Sequence, residues 1–145
     1  MHSAFRPCGR HIAIAALCLA AAIGAAFANS ARDAILATYA AAAKQLDPSF
    51  TGFSVDRGSQ LWHSTHTEGN IDTPSCTTCH TKDATAPGMT RALKPIAPMA
   101  VSRTPDRFTD PEKVEKWFLR NCKTVLGREC TPSEKGDVIS YLSSL

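Results

Sequence analysis

Residues 72–81 read DTPSCTTCHT, and the reading of this stretch decides the fold. Cys76 and Cys79 stand three positions apart and His80 follows directly, giving C-x-x-C-H, the pattern by which haem is attached covalently as haem c. The spacing has a chemical reason. Two thiols one helical turn apart can add to the two vinyl groups along one edge of a porphyrin. The next residue is then held under the ring, where the His80 imidazole binds iron. Other uses of a C-x-x-C pair fit less well. A thioredoxin-like pair needs a βαβ setting, and no alternating strand pattern is visible. A zinc site needs a second knuckle, but Cys122 and Cys130 are eight positions apart. An ordinary disulfide leaves the adjacent His80 without a role.

The N-terminus predicts the compartment such chemistry needs. Arg6 and Arg10 precede an apolar, alanine-rich stretch over residues 12–26, and Ala26-Phe27-Ala28 is a small-x-small cleavage site. Charged, apolar and cleavage regions in that order read as a secretory signal over residues 1–28, cut near Ala28–Asn29. Residues 29–145 then form one monohaem domain, exported to the periplasm, with no transmembrane segment. Its 14 Lys and Arg against 13 Asp and Glu argue against nucleic-acid binding. Cys8 and Cys18 leave with the signal. With Cys76 and Cys79 on haem, Cys122 and Cys130 are left to pair with each other, in a compartment that permits disulfides.

The rest of the domain reads as helices. Residues 30–46 carry Ile35, Leu36, Tyr39 and Ala43 on one face, with Ser30 as the N-cap and Pro48 as the stop. Residues 56–66 form a shorter helix with Leu61 and Trp62 inward. Residues 67–106 hold five prolines and little periodicity, a length of loop that needs a function to explain it. Order returns at Asp110-Pro111, an N-cap followed by a proline in the first turn, and the pattern runs to Asn121-Cys122. Thr131 and Glu134 make a capping box around Pro132, and Val138, Tyr141, Leu142 and Leu145 share the inward face of a last helix. The expectation is an all-α fold: helices around one covalently bound haem, with a long haem-wrapping loop.

The second axial position of the iron is open to several residues. Met89 lies only nine residues past His80; Met99 sits in a proline-stiffened segment and has the reach, but also suits a core position. His63 and His66 flank a polar segment. Asn121 follows Phe118 by three positions, Trp117 by four and Val114 by seven, so it shares their helical stripe and points with it toward the core. A buried amide needs a partner. A hydrogen bond to a loop carbonyl, a helix C-cap or a place on the iron each meets that need.

The motifs DTPSCTTCHT, PIAP, TPDRFTD, VEKWFLRNC, LGREC and TPSEK, in this order, resemble the SHP-type cytochromes c, and also cytochrome c double-prime of methylotrophs. The likeness runs from about Asp33 to Leu145. It implies a class I-like cytochrome c fold, electron transfer, and binding of O₂, NO or CO. It also implies that the asparagine before the cysteine, here Asn121, is a distal ligand that leaves on reduction, and that Cys122 and Cys130 are bridged. Redox partners implied are multihaem c-type or membrane b-type cytochromes. Met99 is not a feature of that family and keeps a plain His/Met carrier open as an alternative; a haem enzyme acting on NO or peroxide is another, weakened by the lack of a distal His–Arg pair. Trp117, Phe118 and Leu93 are expected in the haem pocket. Lys94 and Arg107 are expected partners of the propionates, with solvated surface charge as the competing role.

Overall fold

The computed structural model describes residues 11–145, with side chains from Asn29 onward. The export signal expected over residues 1–28 therefore falls outside the residues whose side chains are described. Five helices form the domain: α1 (His11–Leu46), α2 (Val55–His63), α3 (Thr77–His80), α4 (Pro111–Leu126) and α5 (Pro132–Ser143). Two residue pairs, β1 (Gly88–Met89) and β2 (Pro95–Ile96), form an antiparallel ribbon inside the long loop, where no strand was expected. Ser30 is not an N-cap: α1 starts upstream, because the alanine-rich run before it holds no proline and one glycine to stop it. Helix α2 stops at His63 rather than residue 66, where Ser64 N–H turns back to the Gln60 carbonyl.

The predicted starts of the last two helices hold. Asp110 accepts from Lys113 N–H with Pro111 in the first turn, and Thr131 and Glu134 form the reciprocal capping box of α5. The end of α4 differs from expectation. It runs past Asn121-Cys122 to Leu126 and ends on Gly127 at φ +68°, the left-handed C-terminal position that glycine adopts without strain. Leu145 lies beyond α5 and is 38% exposed, so it is not part of the inward face.

Helix α2 is pressed directly onto α5. A Cβ on Gly58 would sit 2.0 Å from the Asp137 carbonyl oxygen, so only glycine permits this approach. Beside it the buried Asp137 carboxylate accepts from Arg57 Nε (2.7 Å), Arg57 Nη2 (2.8 Å) and Ser54 N–H (2.6 Å), the set of donors a desolvated carboxylate needs. Gly58→Ala is expected to force the pair apart and cost about 3 kcal/mol by overpacking, read as a lowered thermal midpoint of the holoprotein. Trp62, Ala84, Val138, Tyr141 and Leu142 form the core where α2 and α5 meet. Ile35, Tyr39, Val114 and Ile139 join α1 to α4 and α5.

At the start of α5, Arg128 donates to both oxygens of Glu134, at 2.8 and 2.7 Å, and holds this carboxyl below its ordinary range. A lowered folded pKa means stability that is present above the unfolded value near 4.5 and is lost as pH falls through the folded value. Glu134→Gln is thus expected to cost about 1 kcal/mol at pH 7. Denaturant melts of the two proteins should converge as pH drops below that of the unfolded carboxyl.

Candidate haem site

The C-x-x-C-H segment forms one helical turn. α3 carries Thr77–His80, with Cys76 as its N-cap, and Thr81 ends it at φ +64°. A threonine in the left-handed region is costly, and the Thr81 hydroxyl donates to the Asp83 carbonyl at 2.7 Å to hold it there. Gly88 of the ribbon lies against the turn: a Cβ there would be 2.2 Å from the Cys79 carbonyl oxygen. Turn and ribbon are therefore one packed unit. Cys76 and Cys79 are the free cysteines among the described residues, both partly buried.

The electrostatics suit both roles. Burial pushes the Cys76 thiol up to about 11, which keeps it protonated at neutral pH. Burial first, and the Arg107 charge second, pull His80 down to about 4. Its imidazole is therefore neutral near pH 7, the state in which a ring nitrogen ligates metal. Its Nδ1 is buried without a hydrogen-bond partner. Two large apolar side chains stand exposed, Leu93 at 79% and Trp117 at 47%. The two thiols and the neutral imidazole of the turn fit haem c.

The remaining expected residues divide. Phe118 is partly buried and touches all three core clusters. Leu93 has φ +57° in the turn Thr90–Lys94, where Leu93 N–H donates to the Thr90 carbonyl. Lys94 is exposed beside it. Arg107 is fixed instead, donating from Nε to the Pro98 carbonyl (3.1 Å) and from Nη2 to that of Ala97 (2.6 Å). Its carbonyl is gripped in turn by the buried Arg32. His63 lies against backbone, its Nδ1 2.8 Å from the Ser59 carbonyl within α2 and its Nε2 3.2 Å from the loop carbonyl of Lys82. Met99 packs against the Trp62–Leu142 core, and its N–H donates to the Ala84 carbonyl at 2.9 Å.

Asn121 does not point into the protein core. At about 100° per residue, the α4 positions from Val114 through Val125, Phe118 and Cys122 to Leu126 span an arc of about 120°, and four of them are buried. Asn121 falls about 20° outside that arc and Trp117 about 60°, on the same flank; both are exposed. The sequence stripe was drawn one position off the true core line. Directly after Asn121, Cys122 is bridged to Cys130, with Cα atoms 5.6 Å apart. Opening this nine-residue loop with Cys122→Ser and Cys130→Ser together is expected to cost about 2.5 kcal/mol, measured as a lowered denaturant midpoint.

Sequence reading missed one neighbour of the site. Trp62, assigned there to the core, has its ring centroid 5.3 Å from that of His80. Nothing local signals this, because the contact joins α2 to α3 across eighteen positions.

A single C-x-x-C-H turn in an all-α fold, with the other two cysteines among the described residues bridged, defines a c-type cytochrome, whose prosthetic group is covalently attached haem c with its iron. Residues 48–142 match the family described as domain of unknown function DUF1924, and the chain belongs to that family and to the SHP-type cytochromes c. It is 57% identical over 89 residues to cytochrome c-type protein SHP of Cereibacter sphaeroides, covering 61% of this chain and 69% of that protein. The solved structure of oxidized SHP, described as an oxygen binding cytochrome c, superposes with a TM-score of 0.72 at 49% identity, over 79% of this chain and 96% of that one. Oxidized cytochrome c'' from Methylophilus methylotrophus matches with a TM-score of 0.66 at 29% identity, over 78% and 93%.

Proposed function

We propose that this protein is an exported, periplasmic electron-transfer cytochrome whose distal ligand, Asn121, leaves on reduction and makes room for O₂, NO or CO. In this reading residues 1–28 are removed and residues 29–145 carry the haem. Haem c supplies an iron that cycles between ferric and ferrous states and takes diatomic ligands when ferrous. Cys76 and Cys79 anchor it through thioethers and His80 is the proximal ligand. Trp117, Phe118 and Leu93 would cover the macrocycle, while Lys94, and Arg107 from a guanidinium already anchored on the Pro98 and Ala97 carbonyls, would meet the propionates. Multihaem c-type or membrane b-type cytochromes are the redox partners. The observation that carries the reading is the α3 turn: two free thiols and a neutral imidazole on four helical residues and their cap.

Asn121 is suited to a reversible role. Its amide oxygen is a neutral, hard donor that prefers ferric to ferrous iron. It sits on the rim of the buried face of α4, so the side chain can swing without disturbing the core, while the Cys122–Cys130 bridge holds the helix beside it. The oxygen binding named for oxidized SHP supports the small-ligand part of the reading. Met99 is occupied in the core formed by Trp62, Ala84 and Leu142, which favours Asn121 over it. The test is CO addition to the reduced protein. Rapid, saturable binding to a five-coordinate ferrous haem is expected; a six-coordinate ferrous haem that binds CO only as fast as an internal ligand dissociates would contradict the reading.

A further inference from the structure

We infer that Trp62 is the positioning residue that sets the plane of the proximal imidazole, by stacking on it where a hydrogen bond would ordinarily do so. The inference rests on the reading of His80 as proximal ligand. A histidine bound through Nε2 carries its proton on Nδ1, and in metal sites that N–H commonly finds an acceptor that fixes the rotation of the ring. Among the described residues the Nδ1 of His80 is buried and has no such acceptor. What it has is an indole: the Trp62 and His80 rings are 5.3 Å apart at the centroids, with planes tilted by 31°. The Trp62 Nε1 is likewise buried without a partner, so the indole is held by its shape and not by its polar atom. A tilted aromatic pair packed this closely resists rotation of either ring.

The indole is itself immobilised. Trp62 is 3% exposed and contacts Tyr141, 6.4 Å away between centroids, on α5. Four residues earlier on α2, Gly58 lets the two helices approach until no Cβ fits between them. The next residue, His63, reaches from the end of α2 to the Lys82 carbonyl, two positions past His80. The end of α2 therefore meets the haem-attachment segment ring against ring at His80. The plane of an axial imidazole orients the half-filled iron orbital of a low-spin ferric haem. That plane thereby sets which haem methyl groups carry most of the unpaired spin.

The experiment is proton NMR of the ferric cyanide adduct of the holoprotein, in which cyanide fills the distal position whichever residue held it before. Trp62→Phe, which keeps a ring on His80, is expected to preserve the order and spread of the four haem-methyl signals. Trp62→Leu is expected to reorder them. In the unaltered protein, magnetisation transfer between the indole protons of Trp62 and the ring protons of His80 is expected, so the test stands even if Trp62→Leu fails to fold. An unchanged methyl pattern in Trp62→Leu, or no transfer between the two rings, overturns the inference alone. Assignment of the axial imidazole signals to a residue other than His80 overturns the ligand reading and the inference with it.

Discussion

Replacing Cys76 and Cys79 together with alanine is expected to abolish covalent haem and to leave a chain without a cooperative thermal transition. The free thiols lie on the same turn as His80, and Cys76 packs against the Trp62 core, so the attachment edge and the protein core meet at this point. A domain of this size buries a modest core of its own. Loss of the group that organises the loop between α2 and α4 should remove most of its stability, on the order of 5 kcal/mol. The single variant Cys79→Ala should keep one thioether, through Cys76, and with it a holoprotein of lowered stability. Haem staining after denaturing electrophoresis reads attachment, and a melt followed by circular dichroism reads the fold. A double variant that melts like the parent would refute the account of the site.

Asn121→His is the second large effect. Imidazole is a stronger ligand than a carboxamide for ferrous iron, so the histidine should remain bound after reduction. CO would then wait for it to leave. Binding to the reduced protein should slow by at least about tenfold, equivalent to 1.4 kcal/mol or more on the barrier. Because position 121 lies on the rim of α4 and is exposed, the larger ring enters without overpacking the core, and the melting behaviour should be preserved. Stopped-flow mixing of CO with the two reduced proteins compares the rates. Equal rates would mean that residue 121 does not guard the iron.

What was legible in the sequence was what depends on near neighbours. The C-x-x-C-H turn, the Asp110 and Thr131 caps and the pairing of Cys122 with Cys130 are all set by residues within eight positions of one another. The stop signal of α4 was also present, as Gly127, but the cysteine at 122 drew the boundary four residues early. The inward stripe of α4 was read through Asn121 because Trp117 was taken as a core residue. The core line runs instead through Val114, Phe118, Cys122 and Val125, and an aromatic residue on an exposed flank obeys nearly the same spacing as one in a core. The stack of Trp62 on His80 was beyond local reading. It joins residues eighteen positions apart, one on α2 and one on α3, while Gly58 seats α2 against α5.

The most direct test of the distal assignment compares the ferric spectra of Asn121→Ala and Met99→Ala, by visible absorption and electron paramagnetic resonance. The account predicts a low-spin ferric parent and an Asn121→Ala protein converted to a high-spin or water-ligated ferric haem. Met99→Ala should keep the parent's ferric spectrum and lose only stability, as a methionine packed on the Trp62 core would. A sulfur-to-iron charge-transfer band in the parent that disappears in Met99→Ala, with Asn121→Ala still six-coordinate and low-spin, would contradict it.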